Sequence, residues 1–256
     1  MDDSQAMRRI LTDVVFLRSV GMRPVVVHGG GKAISQAMDD RGLEVQFVQG
    51  RRYTDGRTLT VVEHVLCNEV NSSIVETIQS LGCDAMGLHT LSSGVLFGKR
   101  LYLDDDGRKV DLGSVGTVHR VNAHLVDLLC KAGTVPVIAP LAFDEAGGKL
   151  NCNADTAAGE VAAALVAEKF VVISDTHGIR EDIDDPESFF PQMTELQIEQ
   201  RIADGTISSG MLPKVESCLR AIDAGVKRAH IVDGRLDHSL LLEIFSDKGV
   251  GTLITK

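Results

Sequence analysis

A proline and three β-branched residues, Pro24-Val25-Val26-Val27, run into His28-Gly29-Gly30-Gly31-Lys32 and then into Ala33-Ile34-Ser35-Gln36-Ala37-Met38. The first run reads as a short buried strand and the last as a helix. A strand that turns through glycines into a helix brings bare backbone N–H groups to a helix N-terminus, which suits a phosphate or a carboxylate. The competing explanation is a tight strand–helix turn in which glycine supplies only positive φ. Three glycines in a row favour the anion site. Neither G-x-x-x-x-G-K-[ST] nor G-x-G-x-x-G is completed, so Walker and Rossmann loops have no support.

The strand–helix alternation continues along the chain. Ser4 caps a first helix that Gly21 ends, and Val45 to Val48 is a second short strand. A long amphipathic helix is expected from Thr58 to Leu81, after a loop from Gly50 to Gly56. Strands follow at Asp84 to His89, Val95 to Lys99 and Val115 to Val121, with a hairpin turn at Asp104-Asp105-Asp106-Gly107. Asn122 caps a helix to Lys131. Val135-Pro136-Val137-Ile138-Ala139-Pro140 is apolar on both faces, as a central parallel strand should be. An alanine-rich helix to Lys169 and a buried strand, Phe170 to Asp175, come next. Helices at Met193 to Ala203, Pro213 to Ala224 and Ser239 to Phe245 alternate with strands at Ala229 to Asp233 and Thr252 to Thr255. The pattern predicts an α/β fold, a three-layer αβα sandwich around a mainly parallel sheet. With no linker in view, two lobes, 1–150 and 151–256, are expected to share one continuous sheet.

Composition narrows the function. A net charge of −10 over 256 residues argues against a nucleic-acid or anionic-membrane surface, though not against a local basic pocket for a phosphorylated ligand. Five dispersed cysteines without C-x-x-C suggest reduced thiols in a cytoplasmic protein. Eight histidines without metal-ligand spacing give no reason to expect a tightly bound metal. No apolar run approaches a membrane span, and acidic Met1-Asp2-Asp3 does not read as a signal peptide.

Several groups could carry chemistry. Arg51 and Arg52 stand in a glycine-bounded loop, and a guanidinium fork can grip a carboxylate; a solvated surface pair is the alternative. Asn151, Asn153 and Asp155 lie between an apolar strand and a helix, where one can cap and the others form a polar site. Ser174-Asp175-Thr176-His177-Gly178 ends another buried strand, the usual ligand end of an α/β sheet. Lys214, just inside a helix behind Pro213, is disfavoured by the helix dipole unless an anion sits there. His28 is either a satisfied core histidine or a neighbour of the anion site.

Taken in order, His28-Gly29-Gly30-Gly31, Gly50-Arg51-Arg52-Tyr53-Thr54-Asp55, Asn151-Cys152-Asn153-Ala154-Asp155, Ser174-Asp175-Thr176-His177-Gly178, Gly210-Met211-Leu212-Pro213-Lys214 and His230-Ile231-Val232-Asp233-Gly234-Arg235 resemble the amino-acid kinase superfamily. Within it, the arginine loop and the N-x-N-A-D run resemble the acetylglutamate kinases. That resemblance implies transfer of the γ-phosphoryl of ATP, as its Mg²⁺ complex, to the side-chain carboxylate of N-acetyl-L-glutamate in arginine biosynthesis. It implies an amino-acid lobe over 1–150 and an ATP lobe over 151–256. Gly30 and Gly31 would cradle the transferring phosphoryl, and Arg52 and Asn151 would hold the substrate's α-carboxylate. Asp155 would orient catalytic lysines, Lys214 would neutralise phosphate charge, and Ser174, Asp175 and Gly178 would lie near ATP. A homodimer or larger homo-oligomer is usual in such enzymes, and the Thr58–Leu81 helix could supply its interface.

The family's first strand, ending in K-x-G-G, has no counterpart here, and no lysine precedes Gly21. The expectation is that Met1 is an internal methionine or a truncation point of a longer chain. Two alternatives accompany the kinase reading: a related kinase for carbamate, aspartate, glutamate or an aminoadipate derivative, and a non-catalytic ligand-binding paralogue. The arginine loop argues against carbamate, which has no α-carboxylate to grip.

Overall fold

A computed structural model describes residues 4–105, 108–182, 185, 188–207, 210–246 and 249–256. Helix α1 (Ser4–Ser19) is closed by Gly21 at φ +91°, and after β1 (Val26–Val27) the glycines lead into α2 (Gly31–Asp39). Strands β2 (Phe47–Val48) and β3 (Arg51–Arg52) pair antiparallel across Gln49-Gly50. Both turn residues have positive φ, as a type I′ hairpin turn requires. The two arginines, expected in a loop, therefore sit on a strand.

Asp55 caps α3 (Gly56–His64) by accepting from the Thr58 N–H at 2.7 Å. The expected long helix is continuous but not uniform. It passes through a π segment, Val65–Asn71, into α4 (Ser72–Ser80). Then come β4 (Ala85–Leu88), β5 (Leu96–Asp105) and β6 (Arg108–Val121), of which the last two form the expected hairpin. Asp106 and Gly107 of its turn lie outside the described residues. Asn122 caps α5 (Ala123–Lys131), followed by β7 (Val135–Ile138), β8 (Leu141–Phe143) and β9 (Lys149–Cys152).

Helix α6 (Ala154–Leu165) stops short of Lys169, because Val166 turns to φ +46° and Lys169 opens β10 (Lys169–Ser174). Met193, expected in a helix, is buried in β11 (Gln192–Thr194). Thr194 then starts α7 (Glu195–Ala203) with a capping box to Gln197. The chain ends with α8 (Leu212–Asp223), β12 (Arg228–Asp233), α9 (Ser239–Phe245) and β13 (Thr252–Thr255). Among the described residues, no helix is long and apolar enough to cross a membrane.

Two compact units result: Arg23–Ala158, and Met1–Met22 with Gly159–Lys256. In the first, β7 runs parallel between β1 and β4, with Val137 beside both Val26 and Gly87. Its four residues are all buried, as its two-sided apolar pattern predicts. Helix α5 packs on β7 and α4 on β4, while β5, β6, β9 and β8 close a small barrel. Ile34 and Met38 of α2 share a core cluster with Val62 of α3 and Leu66 of the π segment. Each such side chain contributes roughly 1.5–3 kcal/mol by leaving water.

In the second unit β12 lies between parallel β10 and antiparallel β13, with β11 beyond. Helix α8 packs on β10 and β12, and α9 on β12. Helix α1, expected in the 1–150 lobe, belongs here, with Phe16 edge-on to Phe245 of α9 at 6.3 Å. Among the described residues the strands group into separate hydrogen-bonded sheets, where one continuous sheet is expected from the sequence.

Candidate active site

The glycine turn begins where β1 ends, with the His28 N–H donating to the Ile138 carbonyl at 3.3 Å. None of Gly29, Gly30 and Gly31 has positive φ, and Gly30, capping α2, is extended at φ −177°. Positive φ is not what glycine supplies here. Close approach is, because a Cβ on Gly30 would stand 2.7 Å from Leu66 Cδ2. The N–H groups of Gly30 and Gly31 meet no acceptor among the described residues. Two open donors stand at a helix N-terminus, an arrangement that suits an anion.

Arg52 is buried, at 7% exposure, so the surface-pair alternative fails for it. Its Nη2 donates to the Gly31 carbonyl at 3.0 Å and to Ser35 Oγ at 2.8 Å, and its Nη1 approaches Met38 Sδ at 3.3 Å. The Phe47 ring lies 4.8 Å away. Burial pulls the guanidinium pKa down from its ordinary value, against the opposing charge of Asp39. Three of the five guanidinium N–H donors are engaged within the described residues, which leaves two for a ligand.

Asn151 on β9 donates to Thr54 Oγ1 at 3.2 Å, and Thr54 donates in turn to the Arg52 carbonyl at 2.9 Å. Asn153 is the capping residue of its trio, with Oδ1 accepting from the Thr156 N–H at 2.9 Å. Asp155 is the second residue of α6, where a carboxylate is favoured by the helix dipole. Gly29, Gly30, Gly31, Arg51, Arg52 and Asn151 line one cleft of about 200 Å³. That is below the roughly 300–1,000 Å³ of pockets for drug-sized ligands, and fits a small acid better than a whole nucleotide.

His28 is a buried, satisfied histidine beside this cleft. Its Nε2 lies 3.0 Å from Asn71 Nδ2 and its Nδ1 lies 2.9 Å from the Gly29 carbonyl. Burial lowers its pKa from 6.5 to about 4, against the Gly29 carbonyl and with help from His89. The folded state thus holds fewer protons than the unfolded state between those values. The stability gained from neutral His28 is complete above pH 6.5 and lost as the pH falls toward about 4. It is on the order of 3 kcal/mol. Wild type is expected to lose more stability than His28→Gln over that range. Parallel melting curves for the two proteins would overturn the assignment.

In the other unit, Ser174 and Asp233 are register partners at the carboxyl ends of parallel β10 and β12. Ser174 Oγ contacts Thr176 Oγ1 at 3.1 Å. Asp233 accepts from Arg235 Nε at 2.9 Å and Nη2 at 2.6 Å. Burial pushes the Asp233 carboxyl up, but Arg235 outweighs it and holds the pKa below its ordinary value. Asp175 is exposed on the same loop. Gly178 has φ +68°, and a Cβ there would meet Thr252 Oγ1 at 2.5 Å, so packing alone demands glycine. Lys214 is the third residue of α8, its carbonyl accepting from Ser217 Oγ at 2.7 Å.

The model of the amino acid kinase family matches residues 1–233. The chain belongs to that family. This amino acid kinase is 43% identical to the acetylglutamate kinase of Methanocaldococcus jannaschii over 261 residues, covering 100% of this chain and 87% of that protein. It is 44% identical to the acetylglutamate kinase of Methanosphaera stadtmanae over 268 residues, covering 99% and 87%. Its fold resembles that of N-acetylglutamate synthase from Neisseria gonorrhoeae, solved with coenzyme A and N-acetyl-glutamate, at a TM-score of 0.85. That match covers 99% of this chain and 57% of the synthase at 24% identity, and shows the α/β amino acid kinase fold alone.

Three residues of this kinase's cleft region escaped sequence reading: Ser35, Thr54 and Asn71. Ser35 follows Gly31 by one helical turn, a spacing that could have paired it with the turn. Asn71 gave no signal, because the π segment inserts one residue per turn and rotates it inward against the helical period.

Proposed function

We propose that this chain is an acetylglutamate kinase, transferring the γ-phosphoryl group of ATP to the side-chain carboxylate of N-acetyl-L-glutamate in arginine biosynthesis. The observation that carries the reading is one small cleft lined by Gly30, Gly31, Arg52 and Asn151. A buried guanidinium with two open donors suits an α-carboxylate, oriented further by Asn151. The open N–H groups of Gly30 and Gly31 suit the oxyanions of the transferring group. Identity of 43% to an acetylglutamate kinase along the whole chain supports this choice of substrate.

The chemistry asks little else of the protein. A carboxylate is already a nucleophile, so catalysis rests on alignment and charge neutralisation. In this reading Ser174, Asp175 and Gly178 attend ATP, Lys214 neutralises phosphate charge, and Asp155 serves as a further catalytic carboxylate. Mg²⁺ arrives as part of the ATP complex and shields its phosphates. The enzyme works in the cytoplasm as a homodimer or larger homo-oligomer.

The test is ADP release with MgATP and a panel of acceptors, with hydroxylamine trapping of the acyl phosphate. Acetylglutamate is expected to be preferred over aspartate, glutamate and carbamate. Preference for another acceptor would replace the substrate. Ligand-raised melting temperature with background turnover would instead make the chain a binding protein.

A further inference from the structure

We propose that Asn71 is a positioning residue that acts through the His28 ring to aim the Gly30 N–H at the bound anion. The proposal rests on the phosphoryl-transfer reading for its anion, but its geometry stands independently.

Asn71 is 1% exposed at the end of the π segment, and both N–H groups of its amide are committed. One donates to the Val137 carbonyl of the central strand at 3.0 Å, the other to His28 Nε2 at 3.0 Å. A donor aimed at Nε2 needs the lone pair there, so the ring proton must sit on Nδ1. Nδ1–H then donates to the Gly29 carbonyl at 2.9 Å. That carbonyl and the Gly30 N–H belong to one planar trans peptide and point in opposite directions. Holding the carbonyl on the ring therefore turns the Gly30 N–H away from it. The amide of Asn71 sets the tautomer, and the tautomer sets the peptide plane.

The surroundings are built for this. Leu66, from the same π segment, closes against Gly30 where a Cβ would intrude. Across the sheet, Gly87 of β4 has no side chain where Asn71 Oδ1 sits, since a Cβ there would lie 2.1 Å from that oxygen. The π segment thus touches the glycine turn twice, once by packing and once through a histidine. Segments of this kind recur at functional sites. His28 faces the Asn71 amide and the Gly29 carbonyl, and feels the charge of His89.

Asn71→Asp tests the proposal with almost no change of shape. A carboxylate can only accept, so neutral His28 moves its proton to Nε2 and the Gly29 carbonyl loses its donor. Only the imidazolium satisfies both sides. In the variant, kcat is expected to fall as pH rises through the His28 titration, a limb that wild type lacks. The loss at alkaline pH is about 10–10²-fold, less than the ~10²–10³-fold of an oxyanion donor removed outright because the Gly30 N–H is turned and not deleted, with the KM for acetylglutamate within about twofold. Imidazole ¹⁵N NMR should show the Nδ1–H tautomer in wild type at neutral pH and, in Asn71→Asp, an imidazolium that gives way to Nε2–H at alkaline pH. An Nε2–H tautomer in wild type, or pH profiles of the same shape in both proteins, would overturn the proposal. The tautomer decides this even if the variant does not fold. It is also independent of the acceptor, so preference for another acid would sink the functional reading alone.

Discussion

Arg52→Lys is expected to raise the KM for acetylglutamate about 100-fold or more, although the charge is conserved. The guanidinium spans Met38, Gly31 and Ser35 and still has two N–H groups to offer. An ammonium carries three donors on one atom and cannot bridge three separated acceptors while also donating to a carboxylate. Removing one side of a buried, hydrogen-bonded charge pair costs about 2–5 kcal/mol, and about 2.7 kcal/mol is 100-fold. The turnover number at saturating substrate should change much less, because the role proposed for Arg52 is at the end of the substrate that does not react. Steady-state kinetics on Arg52→Lys and Arg52→Met, beside their melting curves, checks this. A folded Arg52→Lys protein with wild-type KM would remove Arg52 from the substrate site.

Gly113→Ala is expected to destabilise the protein by about 3 kcal/mol or more, through two effects that add. Gly113 has φ +74°, a conformation that costs an L-residue roughly 1–2 kcal/mol. A Cβ there would also lie 2.2 Å from the Thr54 carbonyl oxygen and 2.8 Å from its carbon, both backbone atoms that cannot swing aside. Overpacking of this kind costs a further ~1–3 kcal/mol. Thr54 is pinned where the clash falls: its N–H donates to Leu112 and its carbonyl accepts from Ser114 at 2.6 Å. The damage should reach the cleft, because Thr54 Oγ1 is the partner of Asn151. Urea denaturation gives the stability, and acetylglutamate affinity gives the effect on Asn151. A loss below about 1 kcal/mol would show that the β6 backbone can yield.

Some of the site could be read without coordinates because its signals are local. The glycine turn needs only a β-branched run, three glycines and a following helical period, all within a few residues. The cap at Asn122 is set by a neighbour three positions away, and the burial of Val135 to Ile138 follows from an unbroken apolar run. Met193 went to the wrong element because an apolar residue ahead of a helix fits either period. Its place was decided by pairing with β13. Arg51 and Arg52 read as loop in the sequence because a two-residue strand has too few positions to show alternation.

By itself the sequence determined that backbone N–H groups would gather behind a buried strand, since local propensity and helix-end chemistry act over a few residues. It could not say why Gly30 must be glycine or what orients its N–H. Those follow from Leu66 and from Asn71, placed there by a π segment and by the pairing of β7 with its neighbours. Contacts between residues so far apart in the chain carry no period. They exist only once packing has closed, which is why tertiary structure alone decides how the turn is aimed.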